Sequence, residues 1–319
     1  MKEQILKYQE QFEFDPIIEN SHKLKENYQN FILAGMGGSH LSAGLIKIFR
    51  PGINLTIHSD YGLPNLEDEI FSKSLLIASS YSGNTEEVVD FFESAYSKGY
   101  DVAVVTSGGK LLEMAKEREI PYVEMPNIGI QPRLALGFSS LAISSFVDSG
   151  LTEELKSLSS TLDPESLEDQ ADLLANQIGN KIPIIYTSNL NQDLGYVWKI
   201  TLNETAKIPA FSNVFPEINH NEMQAFDTTN DEAENQFIFF IIHDPEDHPK
   251  IELRMRTVES LLEERGHQVV SLFLEGESIT EKIFNSLILI HLVAVNVAEN
   301  NGVDPESVAL IEEFKKRVL

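Results

Sequence analysis

The chain has 319 residues, enough for two domains of ordinary size, and its 42% hydrophobic content supports large cores. Fifty acidic against 24 basic residues give a net charge of -26, which argues against nucleic acid or an anionic membrane surface as the main partner. No cysteine is present, so disulfides, thiolate metal sites and a cysteine nucleophile are excluded.

No apolar run is read as a membrane span, and Met1-Lys2-Glu3-Gln4 opens no signal-peptide hydrophobic region, so a cytoplasmic protein is expected. Residues 1–28 carry Ile5, Tyr8 and Phe12, then Ile17, Ile18 and Leu24. They read as two helices interrupted near Asp15-Pro16. Phe31-Ile32-Leu33-Ala34 is a short apolar strand, followed by Gly35-Met36-Gly37-Gly38-Ser39-His40 and a helix through Leu41, Leu45 and Ile48. The glycine spacing does not match the dinucleotide fingerprint, although Asp60 keeps that alternative open. Residues 53–57 read as another strand, and Leu75-Leu76-Ile77-Ala78 as a buried parallel one. Residues 102–105 and Tyr122-Val123 follow as strands, with a helix over 111–115 between them and Thr106-Ser107-Gly108-Gly109 as its turn. Pro132 suits the first turn of a helix beginning near Arg133. This alternation predicts a doubly wound α/β domain with a parallel sheet, whose ligands lie at the carboxyl ends of the strands.

The second half repeats the pattern: a strand over 182–186, a helix over about 191–207, a strand over 237–242, a helix over 254–265, a strand over 269–273, then helices over 284–300 and 305–319. The expected domains are 1–161 and 162–319, with Asp163-Pro164 as a linker. His243-Asp244-Pro245-Glu246-Asp247-His248 reads as a solvated acidic loop rather than a set of metal ligands.

One stretch organises the rest. Ser79-Ser80-Tyr81-Ser82-Gly83-Asn84-Thr85 lies between the 75–78 strand and a helix carrying Val88, Val89, Phe92 and Ala95. It offers three hydroxyls, a glycine and the unpaired N–H groups of a helix start, donors that suit a phosphate. The same residue types also favour a simple N-cap and turn.

Together with Gly35-Met36-Gly37-Gly38-Ser39 and Pro132-Arg133, this stretch resembles the sugar isomerase (SIS) domain superfamily. Trp198-Lys199, Leu202-Asn203-Glu204, Ala206-Lys207, Pro209-Ala210 and Pro216-Glu217-Ile218-Asn219-His220-Asn221-Glu222 narrow the resemblance to its bifunctional phosphoglucose/phosphomannose isomerases, over nearly the whole chain. The fold so implied is α/β, two SIS domains, each a parallel sheet flanked by helices in a three-layer αβα sandwich. The implied state is a homodimer with active sites shared between subunits. The implied substrate is a sugar 6-phosphate, with no cofactor, metal, nucleic acid or membrane.

Position by position, the resemblance puts phosphate on Ser80, Ser82 and Thr85, with Gly37, Gly38 and Ser39 alongside. It makes Glu204 the base, His220 the ring-opening residue contributed by the partner subunit, Arg133 an arginine beside the substrate and Lys315 (adjacent to Lys316) a site lysine. At Met223-Gln224-Ala225-Phe226 the chain departs from the more apolar stretch ending in Gly-Trp. The implied chemistry moves one proton between C1 and C2 through a cis-enediolate, which a single carboxylate can carry out. A cation beside the enediolate oxygens stabilises the transition state more than the ground state. Histidine suits ring opening because it titrates near neutrality. A non-catalytic sugar-phosphate-binding regulator is the alternative, and the chain's acidity disfavours its DNA-binding form.

Overall fold

Two all-parallel sheets organise the computed structural model, which describes residues 1–227 and 236–318. The chain divides into a unit of Lys7–Leu162 and a unit of Met1–Leu6 with Asp163–Leu319, so the opening helix α1 (Lys2–Leu6) belongs with the C-terminal residues. The reason is local to the second unit: the Met1 ammonium lies 2.7 Å from Glu306, and Lys2 pairs with Glu168 at 2.9 Å.

In the Lys7–Leu162 unit the strands are β1 (Asn30–Ala34), β2 (Leu55–His58), β3 (Ser74–Ser80), β4 (Val102–Thr106) and β5 (Tyr122–Glu124), in the order β2-β1-β3-β4-β5. The chain leaves β1 toward one edge and returns at β3 toward the other. The crevice between the carboxyl ends of β1 and β3 is therefore the topological switch point. All seven residues of β3 are buried, as expected of a central parallel strand covered on both faces.

The helices of this unit are α2 (Gly38–Phe49), α3 (Asp68–Ser72), α4 (Glu86–Ser97), α5 (Gly109–Glu117), α6 (Leu136–Val147) and α7 (Ser149–Thr161). On one face Val88, Phe91 and Phe92 of α4 and Leu111 and Ala115 of α5 pack on Ile32, Leu76, Ala78 and Val104. Residues 136–144 of α6 are buried on all sides, which fits its weak amphipathicity.

The expected second helix near residues 17–28 does not form. Glu19 instead pairs its backbone with Tyr122 in both directions, at 2.9 and 3.2 Å, which shields the free edge of β5. Residues 8–13 form a 3-10 turn rather than an α-helix. Its Gln11 is buried: Nε2 donates to the Leu134 carbonyl at 2.9 Å, and Oε1 accepts from the N–H groups of Gly137 and Phe138. That side chain satisfies the otherwise orphaned donors at the start of buried α6.

The second unit contains β6 (Ile182–Ser188), β7 (Phe211–Phe215), β8 (Phe237–His243) and β9 (Gln268–Phe273), in the order β7-β6-β8-β9. Its further helices are α8 (Glu168–Ile178), α9 (Gln192–Thr201), α10 (Pro249–Glu263), α11 (Ile279–Asn300) and α12 (Ala309–Val318). Adjacent residues of β8 face opposite ways: Phe240 meets Trp198 of α9, whereas Phe239 packs with Tyr186, Phe226 and the α10 residues Met255 and Val258. Contrary to the sequence expectation, α11 is long and apolar enough by length and composition to cross a membrane. Its most apolar stretch is 83% buried, and it serves as a core helix. Strand β7 was not foreseen, because its Ser-Asn centre and short length lack an apolar run.

Candidate active site

At the switch point of the first sheet the phosphate candidates converge. Ser80 ends β3 and is 1% exposed, and its Oγ lies 2.8 Å from Thr85 Oγ1, the residue just before α4. The Gly83 N–H donates to Ser80 Oγ at 3.1 Å, and the Asn84 N–H donates to Ser82 Oγ at 3.3 Å. Gly83 adopts φ +69°, left-handed backbone that glycine takes without steric cost. Ser82 is exposed at the rim.

From the neighbouring β1 turn, Ser39 locks onto this loop: its Oγ accepts the Tyr81 N–H at 2.9 Å, and its carbonyl accepts the Ser79 hydroxyl at 3.3 Å. Gly37, at φ +51°, precedes α2, and Gly38 opens it. A Cβ on Gly38 would lie 2.7 Å from the Pro132 carbonyl carbon and 2.8 Å from the Arg133 nitrogen, so only glycine lets the 132–133 backbone approach this helix start. Arg133 is 3% exposed, in a 3-10 turn that leads into α6. Thus Gly37, Gly38, Ser39, Ser80, Ser82, Thr85 and Arg133 share one end of one sheet. The site combines two helix N-termini with one buried guanidinium, an arrangement suited to an anion.

Glu204, His220 and Lys315 lie in the other unit. The expected helix over 191–207 is α-helical only to Thr201; Leu202–Ala206 widens into a π-helical turn holding half-buried Glu204. Such single turns recur at functional sites. The turn ends at Lys207 in left-handed backbone, φ 59°, and Asn203 Nδ2 ties it to the Ile208 carbonyl at 2.9 Å. Lys207 Nζ donates to the Glu204 carbonyl and, at 3.5 Å, to the Pro305 carbonyl, so the approach to α12 is joined to the Glu204 turn.

His220 is exposed at the end of a 3-10 turn, Glu217–His220, that follows β7. The segment after it is pinned by Glu222, which accepts from Tyr186 Oη at 2.8 Å and from Asn213 Nδ2 at 2.5 Å. Burial, together with Glu222, pushes the Tyr186 phenol far up. Met223 and Phe226, where the chain departs from the family pattern, pack into the core beneath β8. Phe226 meets Phe239 edge-on at 4.8 Å. The Phe226 face of the sheet is the one opposite Trp198 and α9, so the helix leading into the Glu204 turn and the segment following His220 pack on opposite faces of the sheet within one chain. Lys315 is exposed on α12, 2.9 Å from Glu312. Four apolar residues of that helix, Leu310, Ile311, Phe314 and Val318, are exposed as well.

The run at 243–248 is not simply solvated. His243 and Asp244 are buried at the end of β8. His243 contacts Glu252 through Nδ1 and Glu259 through Nε2, each at 2.7 Å. With a carboxylate on each nitrogen, both ring N–H groups donate. Burial alone would lower this imidazole's pKa, but the hydrogen bonds to Glu259 and Glu252 outweigh it and raise the pKa above 6.5. Asp244 accepts from Asn191 Nδ2 at 3.0 Å. Among the described residues no group of three or more His, Cys, Asp or Glu could hold a metal ion.

A family model described as the bacterial phospho-glucose isomerase C-terminal SIS domain matches residues 167–318. The bifunctional phosphoglucose/phosphomannose isomerase of Aquifex aeolicus is 34% identical over 301 residues, covering 91% of each chain. That of Caldicellulosiruptor bescii is 32% identical over 311 residues, covering 92% of this chain and 90% of the relative. In fold, the chain is similar to the crystal structure of a hypothetical protein from Thermus thermophilus, with TM-score 0.70, 18% identity, and 99% of this chain and 86% of that one covered. Two parallel sheets flanked by helices, and relatives this similar over nine-tenths of their length, place the chain in the SIS-domain family of bifunctional phosphoglucose/phosphomannose isomerases.

Proposed function

We propose that this isomerase interconverts glucose 6-phosphate and fructose 6-phosphate, takes mannose 6-phosphate as a second aldose, and works as a homodimer. The observation that carries the reading is the anion crevice formed by Ser39, Ser80, Ser82 and Thr85 with buried Arg133 beside it, in a chain 34% identical to a bifunctional phosphoglucose/phosphomannose isomerase.

The hydroxyls and helix-start N–H groups hold the phosphate, and that binding energy fixes the sugar for reaction. His220 moves a proton between the ring oxygen and the C1 hydroxyl, so the ring opens. The Glu204 carboxylate takes the proton from C2 of the open aldose, leaving a cis-enediolate, and returns it to C1 while the C2 hydroxyl proton passes to the C1 oxygen, which gives the ketose. From the C2 epimer, mannose 6-phosphate, the same enediolate forms. Arg133 and Lys315 place positive charge near the enediolate oxygens. Within one chain the helix leading into the Glu204 turn and the segment following His220 pack on opposite faces of the sheet, which supports a site that takes these two residues from different subunits. The exposed apolar residues of α12 supply a surface for a second copy.

A coupled assay on the purified protein tests this. Glu204→Gln keeps the shape and removes the base, and turnover is expected to fall by about 10²–10⁴-fold. Near-wild-type turnover in Glu204→Gln would dismiss the assigned base.

A further inference from the structure

An anion crevice lined by hydroxyls and a helix start must keep the neighbouring carbonyls turned away, because a carbonyl oxygen aimed at the anion repels it. In the 79–85 loop three successive carbonyls are held away by donors outside the crevice. The Tyr81 carbonyl accepts from both the N–H and the hydroxyl of Ser107, at 3.0 and 2.6 Å. The Ser82 carbonyl accepts from Asn84 Nδ2 at 3.2 Å, and the Gly83 carbonyl from the Leu111 N–H at 3.0 Å. Asn84 has a second anchor, since its Oδ1 accepts the Lys110 N–H at 3.0 Å. All the outside donors except Asn84 belong to the turn and helix start after β4, where Thr106 Oγ1 in turn donates to the Gly108 carbonyl at 2.8 Å. The two loops are in close contact: a Cβ on Gly83 would stand 1.8 Å from Gly108 O, and one on Gly109 2.4 Å from Ser82 O.

We infer that Asn84 and Ser107 are positioning residues for the phosphate end of the substrate: without touching it, they set its affinity by holding the Tyr81 and Ser82 carbonyls out of the anion crevice. This rests on the reading of the 79–85 loop as the phosphate site. Of the two, Ser107 is buried and Asn84 is exposed, so the pair tests the idea in different packing environments.

The experiment compares wild type, Asn84→Ala and Ser107→Ala by isomerase kinetics with fructose 6-phosphate, by competitive inhibition with inorganic phosphate, and by thermal melting. The expected result is a rise in KM and in the phosphate inhibition constant together, about 5- to 10-fold per lost hydrogen bond, with a much smaller change in kcat. If Ser107→Ala does not fold, Asn84→Ala carries the test from its exposed position. Folded variants with unchanged KM and unchanged phosphate inhibition, or a loss in kcat alone, overturn the inference while leaving the phosphate site standing. A wild type that inorganic phosphate does not inhibit overturns both.

Discussion

Residue sharing between subunits can be tested by complementation. Take two defective chains, Glu204→Gln and His220→Ala, each expected to lose about 10²–10⁴-fold in turnover as a homodimer. Within one chain the helix leading into the Glu204 turn packs on the Trp198 face of the sheet, and the segment following His220 packs on the Phe226 face. If each site draws Glu204 from one subunit and His220 from the other, a mixed dimer carries one doubly altered site and one intact site. Random pairing makes half of the dimers mixed, and half of their sites intact. Activity is therefore expected to recover to about one quarter of wild type per subunit. The chains are co-expressed with two different affinity tags. Mixed dimers are isolated by sequential purification, verified by intact mass, and assayed for conversion of fructose 6-phosphate; isolated mixed dimers are expected to show about half of wild-type activity. Verified mixed dimers with no more activity than either parent would refute the shared site, because that is the outcome when both residues come from the same chain.

Gly83→Ala forces a side chain into left-handed backbone, costing about 1–2 kcal/mol, and puts a Cβ 1.8 Å from Gly108 O, so the two loops must part. Losing the Leu111–Gly83 and Ser107–Tyr81 backbone hydrogen bonds adds about 1 kcal/mol each. A lower melting temperature and a raised KM for fructose 6-phosphate are expected, and a variant with both unchanged would contradict the loop geometry. A second prediction concerns pH. Because the folded-state pKa of His243 is raised, its protonated form contributes stability that is complete below about pH 6.5 and is lost as pH rises through the folded value. The melting temperature is expected to decline as pH rises above about 6.5, and His243→Gln, which cannot titrate, should flatten that part of the profile. An identical slope in the variant would remove His243 as its source.

Much of the fold was legible because its signals are local. Buried runs such as Leu75-Leu76-Ile77-Ala78 mark central parallel strands, and the glycine and hydroxyl turns after β1, β3 and β4 mark their carboxyl ends. In the candidate site, the hydroxyl- and glycine-bearing turn between β3 and α4 could be read from its own seven residues. The roles proposed for Glu204, His220 and Lys315 could not, since a lone Glu, His or Lys has no distinctive local pattern; only the joint resemblance singled them out. Where the reading failed, a distant partner decided the outcome. Residues 17–28 lost their expected helix partly to a backbone pairing of Glu19 with Tyr122, and the 8–13 turn is held by Gln11 reaching the start of α6. Edge strand β7 has a polar centre and was not foreseen at all.

The sequence by itself therefore determined the αβ alternation, the parallel sheets and the strand–turn–helix form of the 79–85 loop, because periodicity, capping and glycine freedom act within a few residues. Only the tertiary structure decided that α1 joins the C-terminal residues, that His243 is buried between two glutamates, that Glu204 sits in a π-helical turn, and that the 106–111 segment hydrogen-bonds to the 79–85 loop. Each of these is a contact between residues far apart in the chain or a backbone state imposed by packing, and neither leaves a mark in local sequence.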